Sequence, residues 1–120
     1  MRQNHQKCID ACDVCAQACD DCASACLDEN DVKMLLDCIR LDLDCADICR
    51  AASAAMARGG PAVAALCASC AEVCEMCADE CDRHHHMAHC QVCAEACRKC
   101  AEECRNMAGS MQSQRQGVPA

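Results

Sequence analysis

Cysteine recurs through this chain at alternating intervals of three and four residues. In CIDACDVCAQACDDCASAC, six thiols follow one another at spacings of four, three, four, three and four, at Cys8, Cys12, Cys15, Cys19, Cys22 and Cys26. That rhythm is the heptad seam, the stripe that faces a core when the chain is helical and that normally carries Leu and Ile. It returns at Cys67, Cys70, Cys74, Cys77 and Cys81, and again at Cys90, Cys93, Cys97, Cys100 and Cys104. Between them lies a sparser set, Cys38, Cys45 and Cys49. The pattern demands helices whose buried faces are lined with sulfur.

Punctuation divides the helices. DENDV at 28–32 breaks the first run, and Asn30 or Asp31 suits the cap of the next helix. RGGP at 58–61 is a stop and a restart, with Gly59 and Gly60 closing one helix and Pro61 opening another. RHHHMAH at 83–89 separates the last two runs, and Gly109 closes the fourth. The predicted helices are 4–28, 31–58, 61–84 and 87–107. Ala, Glu, Arg and Leu, all strong helix formers, abound between the breaks. Short connections make neighbours antiparallel. The expected fold is all-α, an antiparallel four-helix bundle with a cysteine-lined core over residues 1–108, followed by a disordered tail at 109–120.

The rest of the composition sharpens this picture. Nineteen of 120 residues are cysteine, none is Phe, Tyr or Trp, and Val, Ile and Leu together number only fifteen. An ordinary core cannot be assembled from that set. The interior is either Cys and Ala or contains something other than side chains. On the second helix, Val32, Leu36, Ile39, Leu43 and Ala46 form another apolar stripe, off the cysteine face. Such a stripe on a bundle helix needs a cover, and a second copy of the chain is the expected one.

A short cysteine-rich chain usually suggests a secreted disulfide scaffold. Here the cysteine count is odd, the segments read as long helices, and MRQNHQKC has no apolar run of the signal-peptide kind. The expectation is a cytoplasmic protein with reduced thiols. A formal charge of −8 disfavours nucleic acid, which needs a basic patch. No segment is long and apolar enough to span a membrane.

Reduced thiols at this density point to metal. Side chains at i,i+3 and i,i+4 on a helix are neighbours, with Cβ atoms about 5–6 Å apart. Two thiolates on one metal, with metal–sulfur bonds of about 2.3 Å, sit about 4.6 Å apart when the ion is linear. One helix can therefore supply both sulfurs, and a facing helix a third. Soft thiolates select Cu(I), Zn(II) or Fe–S clusters. Charge favours Cu(I). Four or five zinc tetrathiolates would bury roughly eight to ten negative charges, whereas one Cu(I) per thiolate leaves none. Fe–S clusters prefer cysteines from irregular backbone around a compact inorganic core. The alternatives left standing are a zinc or cadmium thiolate buffer and, fitting less well, an Fe–S electron carrier.

Over residues 5–107 these runs resemble the copper storage proteins, in particular the cytosolic branch without an export signal. The resemblance implies a homotetramer of four-helix bundles, each holding many Cu(I) ions mainly on cysteine, and a role in storage or detoxification with no catalysis. Its partners would be copper ions, further copies of the chain and a copper chaperone. The second helix departs from the pattern, with three cysteines and a Leu41–Asp42 pair where another could stand. Asp42 lies near the core face. A carboxylate is a hard ligand, so it is expected to be paired or solvated rather than metal-bound.

The two ends of such a bundle should differ, the helix 1–2 and helix 3–4 turns lying together at one of them. His85 stands four residues after Cys81, His86 four before Cys90, and His89 at the edge of that seam. Met34, four before Cys38, and Met87 belong to the same end. Imidazole and thioether are uncharged, weaker ligands for incoming Cu(I), so these five residues are the expected entry port. His84 is expected to point away. Met56, Val63 and Met107, with His5 at the edge, should plug the far end.

Overall fold

The computed structural model describes the backbone of residues 2–117 and the side chains of 5–111. Four helices run in sequence: α1 (Arg2–Leu27), α2 (Leu36–Arg58), α3 (Val63–Asp82) and α4 (Ala88–Gly117). A single 3-10 turn, Val32–Leu35, leads into α2. Each helix packs on its sequence neighbours, and α4 closes the ring against α1. Diagonal helices approach only through side chains, and their thiols meet on the axis, Cys15 with Cys74 at 4.0 Å and Cys49 with Cys100 at 3.8 Å. The antiparallel four-helix bundle is the fold that the cysteine rhythm predicts.

All nineteen cysteines are buried. The contacts that close the bundle come from a second, smaller repeat. Directly after an inward cysteine stands Ala16, Ala23, Ala46, Ala71, Ala78, Ala94 or Ala101, and in one case Ile39, all buried. On each helix these residues recur every seven positions and lie one step round from the thiols. Alanine at a helix contact lets backbones approach closely. The α1–α2 and α3–α4 pairs are accordingly the most extensive in the bundle. Ile39 and Ala46, assigned from sequence to an outer stripe of α2, belong to this seam instead. Of that stripe only Leu36 and Leu43 are well exposed, with Val32 half-buried.

Helix ends explain the other departures. Gly59 adopts a left-handed φ of 67°, and its N–H bonds to the carbonyls of Ala55 at 2.9 Å and Met56 at 3.2 Å, which terminates α2. α3 begins at Val63, so Pro61 lies in the preceding turn. α4 continues through Gly109 to Gly117, where a disordered tail was expected from 109. Gly109 has no left-handed φ. A mid-helix glycine costs only about 1 kcal/mol, and no proline intervenes before Pro119. Residues 118–120 lie outside the described residues. At the closed end, Met56 and Val63 are fully buried and Met107 is half-buried, as the plug requires. There the ring of His5 bonds to the Met56 carbonyl at 3.1 Å.

Thiols pack as small hydrophobes, so the reduced, metal-free chain should give a helical far-UV circular dichroism spectrum. Ala101→Leu should destabilise that form by about 1–3 kcal/mol, because the α3–α4 seam has no room for three more carbons. A coil-like spectrum, or an unchanged urea midpoint, would contradict this packing.

Candidate metal centre

The thiol column is continuous. Across helices, Cys12 Sγ lies 3.5 Å from Cys104 Sγ, Cys45 Sγ 3.6 Å from Cys74 Sγ, and Cys93 Sγ 3.7 Å from Cys19 Sγ. Within a helix, Cys15 and Cys19 are 4.0 Å apart. Three sulfurs on one ion with bonds of about 2.3 Å would stand about 4 Å from one another. The column is thus close to three-coordinate spacing before any metal enters, and linear sites need only a small opening.

Quartets of sulfur lie within 4.8 Å of one another: Cys12–Cys70–Cys100–Cys104, Cys15–Cys49–Cys74–Cys100, Cys15–Cys19–Cys45–Cys97 and Cys19–Cys77–Cys93–Cys97. Successive quartets share Cys100, Cys15, Cys19 or Cys97. Overlap of this kind suits ions bridged by common thiolates, whereas isolated tetrahedral sites would each need four sulfurs of their own.

Asp42 is fully buried among these sulfurs. It is not solvated, which excludes one of the two expectations for it. The thiols of Cys77 and Cys93 donate to its Oδ1 at 3.2 and 3.3 Å, and those of Cys38 and Cys81 reach it at 3.8 Å. Spacing could have revealed this. Cys38, Asp42, Cys45 and Cys49 repeat the four-three-four rhythm, so Asp42 occupies a seam position. Burial, ahead of the neighbouring Cys93 and Cys38, pushes its carboxyl up to about 9.

At the open end the residues expected to form a port divide. His89 joins the column: its Nδ1 lies 3.6 Å from both Cys22 Sγ and Cys90 Sγ, and 3.9 Å from Cys26 Sγ. With those three thiols it forms another quartet of close ligand atoms. Burial pushes the Cys26 thiol up to about 11 and also raises Cys90. A groove between α1 and α4, walled by Val14, Ala18, Asp21 and Val92, leads to Cys22 and His89.

His85 and His86 instead are exposed and turn from the column. α3 ends at Asp82 and α4 begins at Ala88, so the helical spacing that placed them on the seams does not extend through the turn. Met34 is 64% exposed. The 3-10 turn has three residues per turn rather than 3.6, which shifts the register by one and buries Leu35 in its place. Met87 is half-buried and packs against the core. His84 does not point into solvent. It is buried, and its Nε2 lies 3.0 Å from Glu80 Oε2.

A family profile described as copper storage protein matches residues 1–109. The chain belongs to the copper storage protein family. It is similar to the Cu(I)-bound copper storage protein BsCsp3, with 48% identity, a TM-score of 0.83, and coverage of 88% of this chain and 98% of that one. It is also similar to a cytosolic copper storage protein from Streptomyces lividans solved with five coppers, at 46% identity and a TM-score of 0.86, covering 90% and 94%. Apo-Csp3 from Bacillus subtilis is 47% identical, with a TM-score of 0.79 and coverage of 87% and 98%. A comparison with curated proteins finds no match.

Within this family architecture, Asp42 gives the metal-free protein a pH signature. Unfolded, its carboxyl titrates near 3.8; folded, near 9. Between those values the native form retains a proton that the unfolded chain has lost, so this group lowers stability as pH rises. Asp42→Asn removes that slope. Its urea midpoint relative to wild type, measured on reduced apo protein, should climb from pH 5 to pH 9. Parallel midpoints would show that Asp42 keeps an ordinary carboxyl in the fold.

Proposed function

We propose that this protein stores Cu(I) in the cytoplasm, on thiolates of the cysteines that line its bundle. The overlapping quartets are the observation that carries this reading, supported by the Cu(I)-bound and cytosolic members of the family. Each loading step is electrically balanced. A neutral thiol gives up its proton, a Cu(I) ion takes its place on sulfur, and the buried charge remains zero. The raised Cys26 and Cys90 thiols fit this exchange, since they hold their protons until a metal displaces them. No catalytic step is required of any residue.

Cys22, Cys26, Cys90 and His89 form the first site that an ion meets, and His89 is the port's inner ligand. His85 and His86 lie outside it. Met56 and Val63 close the far end, so ions enter and leave by the same mouth.

Capacity separates this reading from a zinc-type buffer. Anaerobic titration of the reduced chain should saturate near one Cu(I) per cysteine, about nineteen per chain, with about one proton released per ion. Saturation at about four or five ions would favour closed tetrahedral sites and overturn it.

The assembly proposed is a homotetramer that uses the outer face of α2. Leu36 and Leu43 there are 39% and 48% exposed without a partner inside the bundle. Replacing both with Glu should yield monomers by light scattering, with copper capacity unchanged because neither side chain faces the thiols. An assembly of unchanged mass would place the interface elsewhere. Ile39 is unsuitable for this test, since it is buried in the α1–α2 seam.

A further inference from the structure

We propose that Glu29 is a positioning residue for copper entry: it holds His89 in the tautomer that presents a bare Nδ1 to Cys22, Cys26 and Cys90. The inference rests on the reading of that quartet as the outermost copper site. It concerns a residue of the α1–α2 turn, sixty positions from the histidine that it orients.

The turn itself fixes the carboxylate. As the chain leaves α1, the N–H of Asp28 bonds to the Ala25 carbonyl at 3.1 Å and that of Glu29 to the Cys26 carbonyl at 3.2 Å. Glu29 is therefore tied to the same helical end that carries the Cys26 thiol. Its Oε1 lies 3.4 Å from Nε2 of His89, across the mouth at the start of α4. A carboxylate oxygen here only accepts, so the ring proton belongs on Nε2. The Nδ1 lone pair then faces three sulfurs at 3.6, 3.6 and 3.9 Å. The opposite tautomer would set a lone pair against the carboxylate and an N–H against the thiols. A ligating histidine that donates its other N–H to a carboxylate has its ring orientation fixed and its basicity raised.

His89 also needs the restraint. It is the second residue of α4, and its side chain is 23% exposed, so packing alone does not set the ring. The bundle supplies a comparison. His84 and Glu80 make a similar pair at 3.0 Å, but among the described hydrogen bonds His84 meets no sulfur. A carboxylate–histidine pair aimed at the thiols occurs at His89.

Imidazole nitrogen NMR on the full-length, reduced, metal-free chain tests this directly, with His89→Ala assigning the resonances. Wild type should show a non-protonated Nδ1 and a protonated Nε2. Glu29→Ala should show a mixture of tautomers, and Glu29→Gln, which retains an acceptor oxygen, should restore the wild-type pattern. Competition for the first equivalent of Cu(I) against a colorimetric chelator should show about tenfold weaker capture by Glu29→Ala. Capture should be near normal for Glu29→Gln, and total capacity equal in all three. A tautomer pattern in Glu29→Ala identical to wild type overturns the positioning role. A lost tautomer with unchanged capture supports that role and overturns the placement of the first copper at this quartet.

Discussion

Everything in this protein depends on the double nature of a buried thiol. Protonated, it is a small, weakly polar group that packs as a hydrophobe. Deprotonated, it is a soft ligand that prefers Cu(I). A tube lined with such groups is stable in either state only if the proton and the metal exchange without changing the charge inside. One Cu(I) per thiolate does this, whereas a zinc tetrathiolate, which displaces four protons for two positive charges, does not. Sulfur spacings of 3.5–4.0 Å place the empty column close to the geometry that the filled one needs. Metal entry then requires little rearrangement of helices.

The column sets the terms for the rest of the bundle. Thiols are too small to fill a wide interior, so the helices must approach closely, and the buried alanines that follow alternate inward cysteines permit this. Exposed ion pairs join neighbours on the outside: Arg50 of α2 to Asp20 of α1 at 2.6 Å, and Arg105 of α4 to Glu75 of α3 at 2.5 Å. Pairs of this kind contribute little stability in water.

The two ends of the tube are chemically opposite. One is closed by Met56 and Val63, fully buried and inert. The other has His89, whose half-exposed ring stands between the outermost thiols and the Glu29 carboxylate. Asp42 stands between the mouth and the deep quartets, a neutral proton carrier inside a column of neutral thiols. The gradient runs from water, through imidazole, to sulfur.

The alternating cysteine interval determined the fold class, the burial of every thiol and the choice of a soft metal, because helical periodicity follows from spacing alone and metal softness from ligand type; Cu(I) within that class rested on the charge argument and the family resemblance. Asp42 was equally legible, four residues after Cys38 and three before Cys45. So was the Cys–Ala dyad that repeats every seven residues. The turns were not legible. Met34, His85 and His86 were placed by extending helical spacing across segments that are not α-helical, and a 3-10 turn or a loop rotates side chains by a different amount per residue. Only the tertiary structure could join Glu29 to His89. Sequence periodicity relates residues on one helix, and this pair depends on how the α1–α2 turn meets the start of α4 at the mouth.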